Sequence, residues 1–277
     1  MSLKDLLVIA DNDPTYAARL DIALALAAEH HAHLTGLHVM PPPLTPIYGD
    51  MPIPKSVEKV QRLELESAAR RAAAVFAERA GRTTVSTEWR VAEGDIVRVA
   101  SEQARYVDLT VLPQGMDLGF ASADLARLPQ EMALGVGRPV LVIPRYGSFP
   151  RVGGRVLVAW NGSREATRAV HDALPLLRRA AQVTVLSIDP DAAAERRLPG
   201  AHVSRHLTRH GVTVQAAPTI TGADVAVGDL LLSYVADHDI DLVVMGAYGH
   251  TRLREMVLGG ATRTLLRHMK VPVLMSH

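Results

Sequence analysis

"RYGSFPRVGGRVLVAW" (145–160) decides how the chain is read. Its first ten residues are rich in Gly, Pro and Arg and carry no hydrophobic period, which marks a connection. Its last six form an apolar run of strand length. Outward from this point the same order of elements occurs twice. Before it stand "LLVIA" (6–10), a helical pattern over 11–31 with Ala17, Leu20, Leu24 and Ala28 at helical spacing, and "HLTGLHV" (33–39). A long helix over 56–80, "VSTEWRV" (85–91), a helix over 95–105, "VDLTVLP" (107–113) and "PVLVIP" (139–144) follow. After it, "RVLVAW" (155–160) answers "LLVIA", and 163–180 answers the first helix, with Pro175 expected to kink or end it. "QVTVLSID" (182–189), "GVTVQAA" (211–217), the segment 227–246 and "PVLM" (272–275) complete the second set. Strands buried on both faces read as continuous apolar runs, with helices as crossovers between them. The sequence therefore predicts a duplicated α/β domain. The two copies are 1–144 and 152–277, with 145–151 as linker, and each has five mostly parallel strands with helices on both faces.

Composition narrows the function. With 277 residues, 48% of them hydrophobic, the chain can bury two cores. Aromatic residues are only 4%, so stacking platforms for nucleic-acid bases are scarce, and a net charge of +1 gives no general pull toward nucleic acid. The absence of cysteine excludes disulfides, thiolate metal sites and Cys nucleophiles and fits a reducing compartment. "MSLKDLLVIADND" lacks the order of a secretory signal, and no apolar run approaches the ~20 residues that span a bilayer. The expectation is a cytoplasmic protein without membrane or nucleic-acid partners.

In open parallel sheets a ligand sits beyond the carboxyl ends of the strands, where strand order reverses. In the second half those ends carry Asn161, Ile188 and Met245-Gly246, and the last leads into "GAYGHTRLREMVLGGATRTLLRHM" (246–269). Glycines let backbone N–H groups converge on an anion, and a helix N-terminus adds favourable partial charge. Gly246, Tyr248 and Gly249 form the turn; Gly259, Gly260, Ala261 and Thr262 open the helix whose amides suit phosphates. His250, Arg252, Arg254 and Arg263 are the available cationic partners. The bland alternative is a Gly-rich turn that binds nothing, with Asn161-Gly162-Ser163 serving only as a turn and N-cap.

These residues carry a resemblance. The chain resembles a tandem universal stress protein, two UspA-like domains in one polypeptide, over essentially its whole length. The family's nucleotide-binding motif is Gly, two residues, Gly, nine residues, Gly, then Ser or Thr. Gly246, Gly249 and Gly259 match that spacing, whereas Gly260 stands at the Ser/Thr position and Asn161 where members keep an acidic residue. The first half is the converse: Asp11 stands at the acidic position, but Gly115, Gly119, Gly135 and Gly137 do not reproduce the spacing. The resemblance implies strand order 3-2-1-4-5 and pairing of the two domains through their last strands, as an internal pseudo-dimer. It implies ATP in the second domain, accompanied by Mg²⁺, with Asn161 and Ile188 near the nucleoside and a degenerate first domain. Its functional implication is nucleotide-linked stress response, as sensor or regulator, with at most weak hydrolysis; two chains pairing as a homodimer is a further expectation.

No catalytic set can be assembled. Neither a Gly-x-Ser-x-Gly elbow nor a Walker A loop occurs, and His250 is the one candidate general base. His202, His206 and His210 recur every four residues, but beside Arg205 and Arg209 they read as a basic exposed helix rather than a metal site. His30 and His31 read as helix-terminal residues facing the dipole. The Pro-rich excursion 41–56 reads as structural packing, or as the contact surface of a nucleotide-free interaction protein. Val57, Val60, Leu63 and Ala68 in the helix after it read as a buried stripe.

Overall fold

The structure, a computed structural model, describes residues 2–42, 55–115, 123–189, 199–217, 220–221, 226–247 and 260–277. The first half runs β1 (Asp5–Ala10), α1 (Tyr16–His30), β2 (His33–Met40), α2 (Lys55–Ala80), β3 (Thr87–Glu93), α3 (Ile96–Ala104), β4 (Leu109–Pro113), α4 (Ala123–Gly135) and β5 (Val140–Ile143). The second runs β6 (Arg155–Trp160), α5 (Arg164–Leu177), β7 (Gln182–Asp189), α6 (Pro199–Arg209), β8 (Val214–Ala216), β9 (Ile220–Thr221), α7 (Val227–Asp237), β10 (Leu242–Gly246), α8 (Gly260–His268) and β11 (Val273–Ser276). Each half orders its strands 3-2-1-4-5, and the two join edge to edge into one sheet, β3-β2-β1-β4-β5-β11-β10-β6-β7-β8, with β9 beside β7. All pairings are parallel except the seam, where β5 and β11 run antiparallel with Leu141 opposite Leu274.

The strands pair in this way because they are apolar on both sides. Leu6, Val8, Val156, Val158 and Leu274 pack into a core with α1, α2, α5 and α6; Leu7, Ile9, Leu157, Val273 and Met275 pack into a second core with α3, α4, α7 and α8. A repeated device anchors the first strand of each half. The Asp108 carboxylate accepts from the N–H groups of Lys4 (2.6 Å) and Asp5 (3.2 Å). Asp241 accepts from those of Gly153, Gly154 and Arg155, each at 3.0 Å. The seam is reinforced outside the ladder. Gln114, just past β4, donates its Nε2–H to the Leu266 and Arg267 carbonyls at the end of α8 (2.8 and 3.1 Å), and its Oε1 accepts from the Arg145 N–H at 3.0 Å. Arg168 of α5 donates to the Gly137 carbonyl at 2.7 Å, and Arg179 pairs with Glu29 at 2.5 Å.

Three expectations are corrected. Val57, Val60 and Leu63 are 43%, 55% and 50% exposed, so they form no buried stripe; α2 is buried through Ala69, Ala72 and Phe76. At about 1.5 Å per residue its 26 residues exceed the length of the strands it crosses, and only its second half reaches the sheet. Pro175 neither kinks α5 into two elements nor ends it, since the helix continues to Leu177. His30 is buried, and burial holds its imidazole below the ordinary pKa, which favours the neutral ring over a cation at the dipole. His31 is the C-cap, with φ 53° and its N–H directed to Ala27 and Ala28 carbonyls. Trp160 is partly buried against the core.

Candidate functional site

In a βαβ unit the helix begins where the strand ends, so the start of α8 lies at the carboxyl end of β10, beside the ends of β6 and β7. The structure thereby places Asn161, Ile188, Met245, Gly246, Gly260, Ala261 and Thr262 at or near one mouth of the second half. Tyr248, Gly249, His250, Arg252 and Gly259 lie outside the described residues, as does most of the Pro-rich excursion.

Asn161 follows the last residue of β6 and is exposed. Its Oδ1 accepts the Ser163 N–H at 3.1 Å, closing a turn in which Gly162 takes φ +72°. Ser163 then caps α5, its hydroxyl accepting the Ala166 N–H at 3.1 Å. The turn and cap foreseen as the bland alternative are thus present, and they commit the Asn161 oxygen while leaving its NH₂ as the group to offer a ligand. Gly246 is fixed by close approach: a Cβ there would lie 2.5 Å from the Ala166 nitrogen and 2.8 Å from the Glu165 Cβ. Gly260 is different, since a Cβ there would meet nothing within 4 Å. It is the first residue of α8, the position at which a helix has N–H groups left over from its own ladder. Thr262 is buried, on the same side of α8 as Leu265.

Sequence reasoning missed three polar groups here. The Ser187 and Ser276 hydroxyls, at the carboxyl ends of β7 and β11, are buried with no hydrogen-bond partner among the described residues. Glu165 is buried beside Gly246. Burial pushes its carboxyl up, but its own backbone N–H, the Ser163 hydroxyl and Arg164 together hold it below the ordinary value, so it is ionised at neutral pH. A polar residue closing an apolar strand, as in "VTVLS" and "VLMS", is the signal that could have found the two serines.

The corresponding mouth of the first half is a cavity of about 360 Å³. Asp11 occupies the position of Asn161, but its Oδ2 is paired at 2.7 Å with the Arg19 guanidinium, which also donates to the Ile9 carbonyl at 3.1 Å. Arg19 is 2% exposed. Asp13 accepts from the Thr15 N–H (2.9 Å) and hydroxyl (2.7 Å) and pairs with Arg145 at 2.9 Å. Burial raises the Asp13 carboxyl, and these hydrogen bonds bring it below its usual value. His38 is buried with Nδ1 at 3.0 Å from the Ala10 carbonyl. His202 and His206 of α6 are exposed, the His206 ring centroid lies 4.5 Å from that of half-buried His210 just past the helix, and no group of three metal-ligating residues occurs among the described residues. No described helix is long and apolar enough to cross a membrane.

Comparison with known proteins agrees with this architecture. The model of the universal stress protein family matches residues 2–143 and 154–277. Universal stress protein Slr1230 of Synechocystis is 28% identical over 169 residues, covering 58% of this chain and 54% of that protein, so the match spans about half the relative's length. A universal stress protein from Archaeoglobus fulgidus superposes over 98% of this chain and 95% of its own, with a TM-score of 0.73 at 15% identity. Protein PA1789 of Pseudomonas aeruginosa, described as functionally unknown, does so over 99% and 92% with a TM-score of 0.58 at 15% identity. At that identity these two structures speak to the fold alone.

Proposed function

Because the chain belongs to the universal stress protein family, we propose that its second half binds an adenine nucleotide, ATP, and that the protein acts as a nucleotide-linked sensor or regulator in the stress response. The observation that carries this reading is the convergence of Asn161, Gly246 and the N-terminus of α8 at one mouth, with Gly246 pressed so closely on the start of α5 that only glycine fits. The first-turn amides of Gly260 and Ala261, together with Gly249 and Gly259 and the cations His250 and Arg252, would hold the phosphates. Asn161, through its NH₂, and Ile188 would meet the nucleoside. Mg²⁺ travelling with the phosphates would find a carboxylate there in Glu165. The charge of this half suits an anion: 152–277 has 14 basic and 11 acidic residues, against 16 and 18 in 1–151.

The reading is of binding rather than dedicated catalysis. Efficient phosphoryl transfer needs a positioned base or water-orienting group; the amides and cations named here bind, and the Glu165 carboxylate is assigned to holding Mg²⁺. Isothermal titration of the full chain with ATP should give saturable binding well below millimolar. Gly249→Asp should weaken it by about tenfold or more, equivalent to about 1.4 kcal/mol. Phosphate release should stay below about 1 per minute, far under the range of ordinary enzymes. Absent binding, or binding indifferent to Gly249→Asp, would replace this reading with that of a nucleotide-free interaction protein, for which exposed Val57, Val60 and Leu63 offer a surface. Fast turnover abolished by His250→Ala would make the protein an enzyme.

A further inference from the structure

The cavity at the mouth of the first half lacks the glycine spacing of the second half, and its arginine is already paired. Its walls are largely apolar, with Val39, Leu65, Ala68, Ile96, Leu125 and Ile143 among them. Its volume of about 360 Å³ lies in the lower part of the range typical of small-molecule sites, about 300–1,000 Å³. Asp11, Asp13 and His38, at the carboxyl ends of β1 and β2, form its polar floor, and the two carboxylates are already paired. Arg145, the cation among the lining residues, is held by Asp13 at 2.9 Å; Arg19, behind the floor, is held by Asp11 at 2.7 Å. An incoming phosphate would face two carboxylates and find both neighbouring guanidiniums engaged. A cation would gain little, since each carboxylate is already neutralised by its arginine. An uncharged ligand meets neither obstacle.

The floor also has a direction. A carbonyl oxygen only accepts, so the contact of His38 Nδ1 with the Ala10 carbonyl at 3.0 Å requires the proton on Nδ1. Burial of the ring keeps its pKa below the ordinary value, against the opposing pull of that hydrogen bond and of Asp11. Neutral His38, one of the lining residues together with Asp11 and Asp13, therefore has an unprotonated Nε2, an acceptor like the two carboxylates. We propose that the first half is a second ligand site, selective for an uncharged, mainly apolar small molecule that carries an N–H or O–H donor, with His38 as the acceptor that reads the donor. The inference stands on the first half alone and does not depend on nucleotide binding in the second.

The test uses three probes on one ring system with the full chain: indole, which has an N–H donor; 1-methylindole, which lacks it; and indoxyl phosphate, which adds charge. Affinities are read from ligand-observed NMR titrations. Indole should bind, 1-methylindole should bind about threefold more weakly or worse, as expected for one lost hydrogen bond, and indoxyl phosphate should not compete. His38→Phe, which keeps a ring against Trp89, should erase the difference between indole and 1-methylindole. Ala68→Phe, at a partly exposed wall position where a larger side chain can be accommodated, should abolish indole binding while circular dichroism stays unchanged. Indole binding that survives Ala68→Phe, indoxyl phosphate binding as tightly as indole, or no binding by any probe would overturn the proposal.

Discussion

Asp11 and Asn161 occupy equivalent positions at the ends of β1 and β6, and what surrounds each explains the difference. Asp11 is tied to buried Arg19, whose counterpart in the second half, by the register of β1 and β6, is buried Ala169. Acid and arginine are thus kept together in one half and absent together in the other, as a buried ion pair requires. Removing one partner of such a pair leaves an uncompensated charge and costs about 3–5 kcal/mol. Asp11→Ala should therefore destabilise the protein by about 3 kcal/mol in urea unfolding, at the low end because Asp11 is 13% exposed. The double change Asp11→Ala with Arg19→Leu should recover most of that loss. A cost under about 1 kcal/mol for Asp11→Ala would show that Arg19 is satisfied by the Ile9 carbonyl alone.

The elements were legible in the sequence to unequal degrees. The strands of both halves could be read because a parallel strand buried on two faces must be apolar throughout, as "LLVIA" and "RVLVA" are. The stripe on α2 misled because an i, i+3 pattern shows that a helix has an apolar side without showing what lies opposite, and Val57, Val60 and Leu63 extend beyond the sheet. Strand β9 is two residues long, too short to have a period. Of the candidate site, the strand-end positions of Asn161 and Gly246 could be read from spacing. Ser187 and Ser276 could not, since what marks them is burial without a hydrogen-bond partner among the described residues. Gln114 was invisible for another reason: its partners lie 152 and 153 residues away. It supplies from the first half a C-cap for α8, the helix whose other end opens the proposed nucleotide site. Gln114→Ala would uncap two carbonyls and release the Arg145 N–H, so it should cost about 1–2 kcal/mol. Amide hydrogen exchange should rise in the last turn of α8 and after β5, whereas protection lost only locally around residue 114 would contradict a role for Gln114 in joining the halves.

At the scale of the molecule, the two halves share one sheet, so their stabilities should not be separable. The β5–β11 ladder, the Gln114 bonds, Arg168 to Gly137 and Arg179 to Glu29 all cross the seam. Calorimetry should show a single cooperative transition. Leu274→Pro places a residue without an N–H, and with a fixed φ, in a strand paired on both sides, where proline is not tolerated. It should lower Tm and split the transition in two, the first half melting separately. A Leu274→Pro variant that melts in one step at the unaltered temperature would show that the halves cooperate without the seam. The antiparallel junction also turns the two mouths toward opposite edges of the sheet, so ligands in both halves would not touch.

The position of β11 has a consequence for synthesis. β11 follows every other described strand in chain order, yet it belongs in the middle of the sheet, between β5 and β10. From the moment residue 143 emerges until residue 273 follows it, β5 presents an unpaired apolar edge, as β10 does for a shorter time. At about 5–20 residues per second that interval is roughly 7–26 s. On a crowded polysome it is long enough for the β5 edge of one nascent chain to take β11 from its neighbour instead of its own. Faster translation through the second half therefore shortens the time for which the β5 edge is exposed.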